Sequence, residues 1–153
     1  MPSLMQVERG IQINAPVDSV FKYVNTLKLW EQWSPWHKMD SDMKIVYGTA
    51  TSGTGAYYTW KSNNKNVGNG KLTITESTAN QFVKTTMDFG DDGTGTAIFK
   101  FESAGGSTRI TWNMESEMGK NPFMKLMGPM MESLIGQSFD EGLKSLKQLC
   151  EKK

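Results

Sequence analysis

The longest amphipathic stretch of the chain lies near its C-terminus, from Pro122 to Glu151. Its apolar residues recur at i, i+3, i+4 and i+7, the spacing that places them on one broad face of an α-helix. They are Phe123, Leu126, Met127, Met130, Met131, Leu134, Ile135, Phe139, Leu143, Leu146 and Leu149. We therefore predict a long helix, capped by Asn121 and locally kinked or broken at Gly128 and Pro129, because proline removes a backbone hydrogen bond.

The segments before this helix alternate between apolar and polar residues, which is the period of a half-buried strand. Strands are predicted at 6–14, 43–47, 55–61, 66–76, 81–89, 94–102 and 108–116. Between the first two strands, apolar residues at helical spacing predict a helix at 17–25, and the aromatic-rich segment 27–36 predicts a second one. The order of elements is thus one strand, two short helices, six strands and one long helix.

Antiparallel strands and an amphipathic helix bury their apolar faces most simply when the sheet curves around the helix. We therefore predict an α+β fold: a curved antiparallel sheet of about seven strands wraps around the long C-terminal helix, and two short helices follow the first strand. No linker, repeat or low-complexity segment divides the chain, so residues 1–153 are predicted to form a single domain. Such an arrangement leaves space for a cavity between the sheet and the helix.

The charge balance of the chain excludes one large class of partners. With 17 basic and 16 acidic residues, the sequence shows no basic excess for binding nucleic acid. No segment approaches the ~20 consecutive apolar residues of a membrane span, and the N-terminus lacks the apolar core of a signal peptide. The single cysteine, Cys150, fits a reducing compartment and has apolar neighbours that favour a packing role. We expect a cytoplasmic protein.

Metal and cofactor motifs are absent from the sequence. One histidine, His37, and one distant cysteine are too few for a zinc site, and the Gly-x-Gly pairs lack the further glycine of a dinucleotide-binding loop. Asp40 and Asp42 lie close to His37, but segment 36–40 is predicted to be an exposed loop, which favours a surface histidine over a general base. We predict no metal and no cofactor, and we assign no catalytic residue.

Aromatic and methionine side chains are the candidates for a binding site. Tyr58 and Trp60 share one strand face, as do Trp112 and Met114. Each of them alone is explained by an ordinary core, whereas together they favour a cavity wall, for which the flexible methionine is well suited. The predicted ligand-binding residues are Trp36, Tyr58, Trp60, Met87, Trp112, Met114, Met127, Met130, Met131 and Leu134.

Arg9 is a separate candidate in the first strand. Strict alternation places it on the inward face with Val7 and Ile11, where it would suit a ligand carboxylate. The adjacent Gly10 instead favours a β-bulge or a position at the sheet rim.

Three segments together resemble a known superfamily. They are the opening pattern I-x-I-x-A-P-x-x-x-V-F-x-Y-V at 11–24, the tetrapeptide Trp33-Ser34-Pro35-Trp36, and the C-terminal run F-D-E-G-L-K-S-L-K at 139–147. The chain resembles the START-like, helix-grip (SRPBCC) superfamily, and within it the polyketide cyclase/dehydrase branch. The resemblance implies a helix-grip fold. It also implies one of several functions: binding hydrophobic ligands, carrying lipids, cyclising polyketides or assisting chaperone ATPases.

We therefore predict a protein that binds a hydrophobic or amphipathic small molecule, lipid-like or polyketide-like, in a cavity between sheet and helix without transforming it. Two alternatives stay open. A polyketide cyclase or dehydratase requires an acid/base pair inside the cavity. A chaperone-cofactor-like interaction module requires an exposed apolar patch. The sequence does not determine the oligomeric state.

Overall fold

The computed structural model describes residues 4–40, 42–63, 69–88, 94–117 and 122–152, with side chains described for 6–38, 40, 42–63, 69–88, 94–116 and 133–152. Within these ranges, the alternating segments form seven strands. They are β1 (Leu4–Ile13), β2 (Lys44–Tyr47), β3 (Tyr57–Lys61), β4 (Asn69–Thr78), β5 (Phe82–Asp88), β6 (Thr94–Ala104) and β7 (Ser107–Glu117). The predicted strand positions 66–68 and Phe89, and the predicted cap Asn121, lie outside the described residues.

The described helices are α1 (Val17–Asn25), a 3-10 helix (Leu27–Gln32), α2 (Pro35–Met39) and α3 (Pro122–Glu151). The prediction of a single helix at 27–36 is wrong, because Ser34 takes an extended backbone conformation (φ −63°, ψ 131°) before Pro35. Proline then begins α2, where its missing N–H leaves no helical bond unmade. The α3 helix continues through Gly128 and Pro129, so the predicted break does not occur there.

The strands form one antiparallel sheet in the order β1-β7-β6-β5-β4-β3-β2. Pairing between β1 and β7 is uninterrupted, from Leu4 opposite Glu117 to Ile13 opposite Thr108. The predicted α+β fold is confirmed: a seven-stranded antiparallel sheet is combined with a long C-terminal helix, and short helices follow the first strand.

This continuous register excludes the predicted bulge and places Arg9 on the same face of β1 as Val7 and Ile11. Because β1 is an edge strand, Arg9 also lies at the rim of the sheet, as the alternative prediction held. The Arg9 Nε lies 3.5 Å from an Asp140 carboxylate oxygen on α3. The same guanidinium packs so closely against Gly136 of α3 that a Cβ there would overlap it. Because the two side chains are 40% and 47% exposed, the ion pair contributes at most ~1 kcal/mol. Its main effect is to set the position of α3 along β1.

The C-terminal end of α3 is attached to the end of β1. The Glu151 carboxylate accepts hydrogen bonds from the Asn14 N–H at 2.7 Å and from the Lys147 amino group at 2.6 Å, and these bonds lower the pKa of Glu151. Lys147 also donates to the Gln12 carbonyl at 3.0 Å. Cys150 is half-buried against the core, where burial raises the pKa of its thiol to about 11, in line with the predicted packing role.

Two tryptophans hold the 3-10 helix on α1. The indole N–H of Trp30 donates to the Val24 carbonyl at 2.8 Å, and the indole N–H of Trp33 donates to the Tyr23 carbonyl at 3.0 Å. Both carbonyls belong to the last turn of α1, where helical geometry supplies no backbone partner. The indoles therefore pair the last carbonyls of α1 and hold the 3-10 helix against it.

We predict that Phe139→Ala lowers the free energy of unfolding by about 3–5 kcal/mol, because the substitution leaves a cavity in a fully buried site on α3. Gln148→Ala on the exposed face of the same helix is the control, with a change within about 0.5 kcal/mol. Urea unfolding followed by tryptophan fluorescence measures both. A loss below ~1 kcal/mol for Phe139→Ala would show that α3 does not depend on this contact.

Candidate functional site

A continuous series of aromatic rings runs along the inner side of the sheet, from α3 to β3. The Trp112 ring of β7 lies flat on Phe139 of α3, with ring centroids 3.8 Å apart, and it also stacks with Phe99 of β6 at 4.7 Å. Trp30 meets Phe99 edge-on at 5.6 Å and Tyr58 at 6.4 Å. We call this set the aromatic wall; it consists of Trp30, Trp33, Trp36, Tyr58, Phe99, Trp112 and Phe139.

The residues predicted to bind a ligand lie in different environments. Those buried on the inner face of the sheet are Tyr58, Trp60, Met87, Trp112 and Met114. Trp36 is half-buried in α2 and contacts Trp112 edge-on at 5.9 Å. Leu134 lies on α3 and is 58% exposed. The side chains of Met127, Met130 and Met131 lie outside the described residues.

His37 of α2 is buried, with 8% of its surface exposed, so the prediction of a surface histidine in a loop is wrong. Its ring meets Tyr58 edge-on at 5.7 Å. Neither ring nitrogen has a hydrogen-bond partner among the described residues. Burial lowers the pKa of His37 to about 4, and the imidazole is therefore neutral at pH 7.

Two tyrosines face each other beside His37. Tyr47 of β2 lies opposite Tyr58 of β3, with ring centroids 6.0 Å apart. The Tyr47 hydroxyl is buried and makes no hydrogen bond of good geometry within the described part of the chain. Burial, and after it the nearby Glu31 carboxylate, raise the pKa of Tyr47 to about 12, and burial also raises the pKa of Tyr58. Both phenols keep their protons at pH 7.

Two buried hydroxyl groups, Ser34 Oγ and Thr85 Oγ1, are also without a partner among the described side chains and backbone. Thr85 lies on the inner face of β5, between Val83 and Met87, and is 2% exposed. An unpaired buried polar group costs about 1–3 kcal/mol, and native proteins contain few of them. Ser34, His37, Tyr47 and Thr85 are called the unpaired polar groups below.

A cleft of about 170 Å³ lies beside the imidazole and is called the His37 cleft. Its lining residues are Glu31, His37, Asp40, Met43 and Ile45. The Asp40 carboxylate accepts hydrogen bonds from the Ser62 hydroxyl at 2.5 Å and from the Asp42 N–H at 3.0 Å. The His37 ring forms part of the wall of this cleft, and its two nitrogens are themselves buried.

A second cleft, of about 160 Å³, lies between α2 and α3. Its lining residues are Trp33, Pro35, Lys38, Glu141 and Ser145. Here the Lys38 amino group donates to the Ser145 hydroxyl at 2.8 Å. Because these two polar groups pair with each other, this cleft has fewer unpaired hydrogen-bonding groups for a ligand than the His37 cleft has.

Metal binding has no support in the described part of the chain. Within those ranges, no three His, Cys, Asp or Glu side chains lie close enough together to hold a metal ion. Of the helices that the structure describes, none combines the length and the apolar character needed to cross a bilayer.

Comparison with known families gives one match that spans almost the whole chain. The family model described as polyketide cyclase/dehydrase and lipid transport matches residues 5–151. No curated protein matches the sequence significantly.

Solved structures with the same fold share little sequence with this chain. Truncated norcoclaurine synthase from Thalictrum flavum is similar at a TM-score of 0.74 and 13% identity, over 99% of this chain and 97% of the other. Protein BH1534 from Bacillus halodurans is similar at a TM-score of 0.70 and 17% identity, over 99% of this chain and 100% of the other. The Aha1 dimer from Colwellia psychrerythraea is similar at a TM-score of 0.67 and 15% identity, over 95% of this chain and 96% of the other. At these identities the likeness establishes the fold alone.

Sequence reasoning missed all of the unpaired polar groups. One signal was present for Thr85, which is the polar residue in an otherwise apolar inner face, between Val83 and Met87. No comparable signal exists for His37, since the residues around it are polar or aromatic and only the docking of α2 buries it.

We predict that Thr85→Val raises the free energy of unfolding by about 1 kcal/mol, because valine removes an unpaired buried hydroxyl at nearly constant shape. Thr108→Val is the matched control. Thr108 is also fully buried, but its hydroxyl donates to the Ala15 carbonyl at 2.9 Å, so its loss lowers stability by about 1–2 kcal/mol. Urea unfolding measures both. A loss of stability for Thr85→Val similar to that for Thr108→Val would show that the Thr85 hydroxyl is already paired.

We predict that His37 makes stability fall on acidification. The pKa of His37 in the folded protein, about 4, lies below the unfolded value of 6.5, so between these pH values the unfolded state binds more protons. The contribution is constant above pH 6.5 and falls by up to ~1.4 kcal/mol per pH unit between there and about pH 4. The difference in unfolding free energy between wild type and His37→Phe isolates this contribution. A difference that does not change between pH 7 and pH 5 contradicts a neutral buried imidazole.

Proposed function

The chain belongs to the polyketide cyclase/dehydrase and lipid transport family, and we propose that it binds an amphipathic small molecule, lipid-like or polyketide-like, next to the aromatic wall. The unpaired polar groups carry this proposal. Small-molecule sites combine a mainly apolar lining with a few polar groups that orient the ligand. An interior lined by aromatic rings, in which several polar atoms have no protein partner, has that composition.

The energetics of the interior support the same conclusion. In the free protein, the unpaired polar groups of His37, Tyr47 and Thr85 each oppose folding. A ligand that supplies hydrogen bonds removes this cost on binding, and its apolar part gains roughly 25 cal/mol for each Å² of surface withdrawn from water. Affinity then comes from the apolar body of the ligand, and orientation comes from its polar end.

We assign the ligand to the half of the sheet that contains β2 to β5. At the opposite side, Phe139 covers Trp112 face-to-face, so this part of the interior is filled. Tyr58, Trp60 and Met87 line the remaining inner face, and Met127, Met130 and Met131 of α3 are the proposed opposing wall. Contact with the exposed Leu134 requires a ligand that extends to the protein surface.

Binding is favoured over catalysis by the state of the only histidine. A general base works best when its pKa lies near the working pH, whereas burial lowers the pKa of His37 to about 4. No carboxylate among the described residues hydrogen-bonds to this imidazole and raises its basicity. The cyclase or dehydratase function therefore has the weaker physical basis.

Binding is also favoured over an interaction module. Such a module requires a contiguous exposed apolar patch. Among the described side chains, the large apolar ones that are exposed are Val46 and Leu134, which lie on different elements, β2 and α3. Single exposed residues of this kind are normal on the surface of a soluble domain.

We predict saturable binding of the uncharged fluorescent probe N-phenyl-1-naphthylamine, with displacement by small molecules extracted from cells. Ile45→Trp narrows the His37 cleft and is expected to weaken binding about tenfold or more, which corresponds to ~1.4 kcal/mol. Val46→Trp is the matched control, because Val46 is the next residue in β2 but is 65% exposed and points away from the cleft.

Native mass spectrometry after incubation with cell extract provides the independent measurement. A retained compound of defined mass, absent from Ile45→Trp, supports the proposal. Bare protein combined with no saturable probe binding contradicts it and shifts support to the interaction module.

A further inference from the structure

Among the described residues that line the His37 cleft, the charged side chains have one sign. Glu31 and Asp40 contribute carboxylates, and this described lining includes no lysine or arginine. The Lys28 amino group lies 5.5 Å above the centroid of the Tyr47 ring, on a ring face and not in the cleft lining. The Lys38 amino group donates a hydrogen bond to the Ser145 hydroxyl in the second cleft. A ligand that enters beside His37 therefore meets neutral and negative groups.

The hydrogen-bonding capacity of the cleft is mixed. A neutral imidazole has one N–H donor and one acceptor nitrogen, and both nitrogens of His37 are unpaired among the described residues. Tyr47 is not among the residues that line the cleft, and its hydroxyl lies near the Glu31 carboxylate. Complete pairing therefore requires a ligand group that both donates and accepts hydrogen bonds.

Resting on the proposed function, we infer that the His37 cleft recognises an uncharged hydroxyl group, an alcohol or phenol, at the polar end of the amphipathic ligand and selects against carboxylates. A hydroxyl group can donate to the acceptor nitrogen of His37 or accept from the ring N–H. It can therefore pair with whichever ring nitrogen it meets, without bringing a charge into a buried space.

Charged head groups match this site less well. A carboxylate only accepts hydrogen bonds, so it leaves the acceptor nitrogen of His37 unpaired, and it lies close to the like charges of Glu31 and Asp40. An ammonium group only donates, so it leaves the imidazole N–H unpaired, although the two carboxylates attract it. A site that hydrogen-bonds a substrate group strongly rejects analogues that cannot make the same bonds.

Three naphthalene compounds with the same ring system and different head groups test the inference. They are 2-(1-naphthyl)ethanol, 1-naphthylacetic acid and 2-(1-naphthyl)ethylamine, each titrated by displacement of N-phenyl-1-naphthylamine at pH 7.5. The alcohol is expected to bind at least tenfold more tightly than the acid and the amine. His37→Phe is expected to remove this preference by weakening the alcohol about tenfold, with little change for the other two compounds.

Two further variants separate hydrogen bonding from packing. His37→Gln retains one donor and one acceptor and is expected to restore most of the preference for the alcohol, whereas a purely structural role predicts that it behaves like His37→Phe. Gln148→Ala, on the exposed face of α3, is the control and leaves all three affinities unchanged.

The outcomes distinguish this inference from the proposed function. If the probe binds but the three compounds have equal affinities, if the acid or the amine binds most tightly, or if His37→Phe retains the preference, the hydroxyl inference is wrong and the proposed function stands. If neither the probe nor any of the compounds binds the wild-type protein, the proposed function itself is wrong.

Discussion

The face-to-face contact between Trp112 of β7 and Phe139 of α3 holds the C-terminal helix against the sheet. One turn further along α3, Gly142 has no side chain, and Pro35 and Trp112 come so close that a Cβ there would lie 2.9 Å and 3.4 Å from them. Pro35 begins α2, and α2 carries His37 to the ring of Tyr58. The position of the candidate site thus depends on the stacking contact between Trp112 and Phe139.

The interior combines features that oppose each other energetically. Edge-to-face and stacked aromatic rings stabilise the fold beyond the area that they bury. The unpaired atoms of Ser34, His37, Tyr47 and Thr85 act in the opposite direction. Natural proteins retain such costs mainly where function requires them. The contrast with Thr108, a buried threonine whose hydroxyl is paired with the Ala15 carbonyl, shows that this fold can satisfy an inner hydroxyl where its purpose is structural.

Residues with regular patterns were predicted well from the sequence, and residues at their boundaries were not. Periodicity identified α3 and the alternation of β7, and it placed Tyr58, Trp60, Met87, Trp112 and Met114 on buried faces. Alternation also predicted the inward position of Arg9. The bulge that Gly10 suggested does not form, because the pairing of β1 with β7 continues through this residue. The indoles of Trp30 and Trp33 donate hydrogen bonds to the last carbonyls of α1, and no local pattern predicts this pairing. Which residues contact a ligand stays a prediction.

By itself, the sequence determined the order and type of the seven strands, of α1 and of α3, because side-chain periodicity and the backbone limits of proline and glycine act over a few residues. Only the tertiary structure decided the environment of His37, since burial depends on residues far away in the chain. His37 meets Tyr58 and borders a cleft with Glu31, Asp40 and Ile45, and no local pattern brings these residues together. The neutral state of the imidazole follows from that enclosure, because withdrawal from water penalises its charged form.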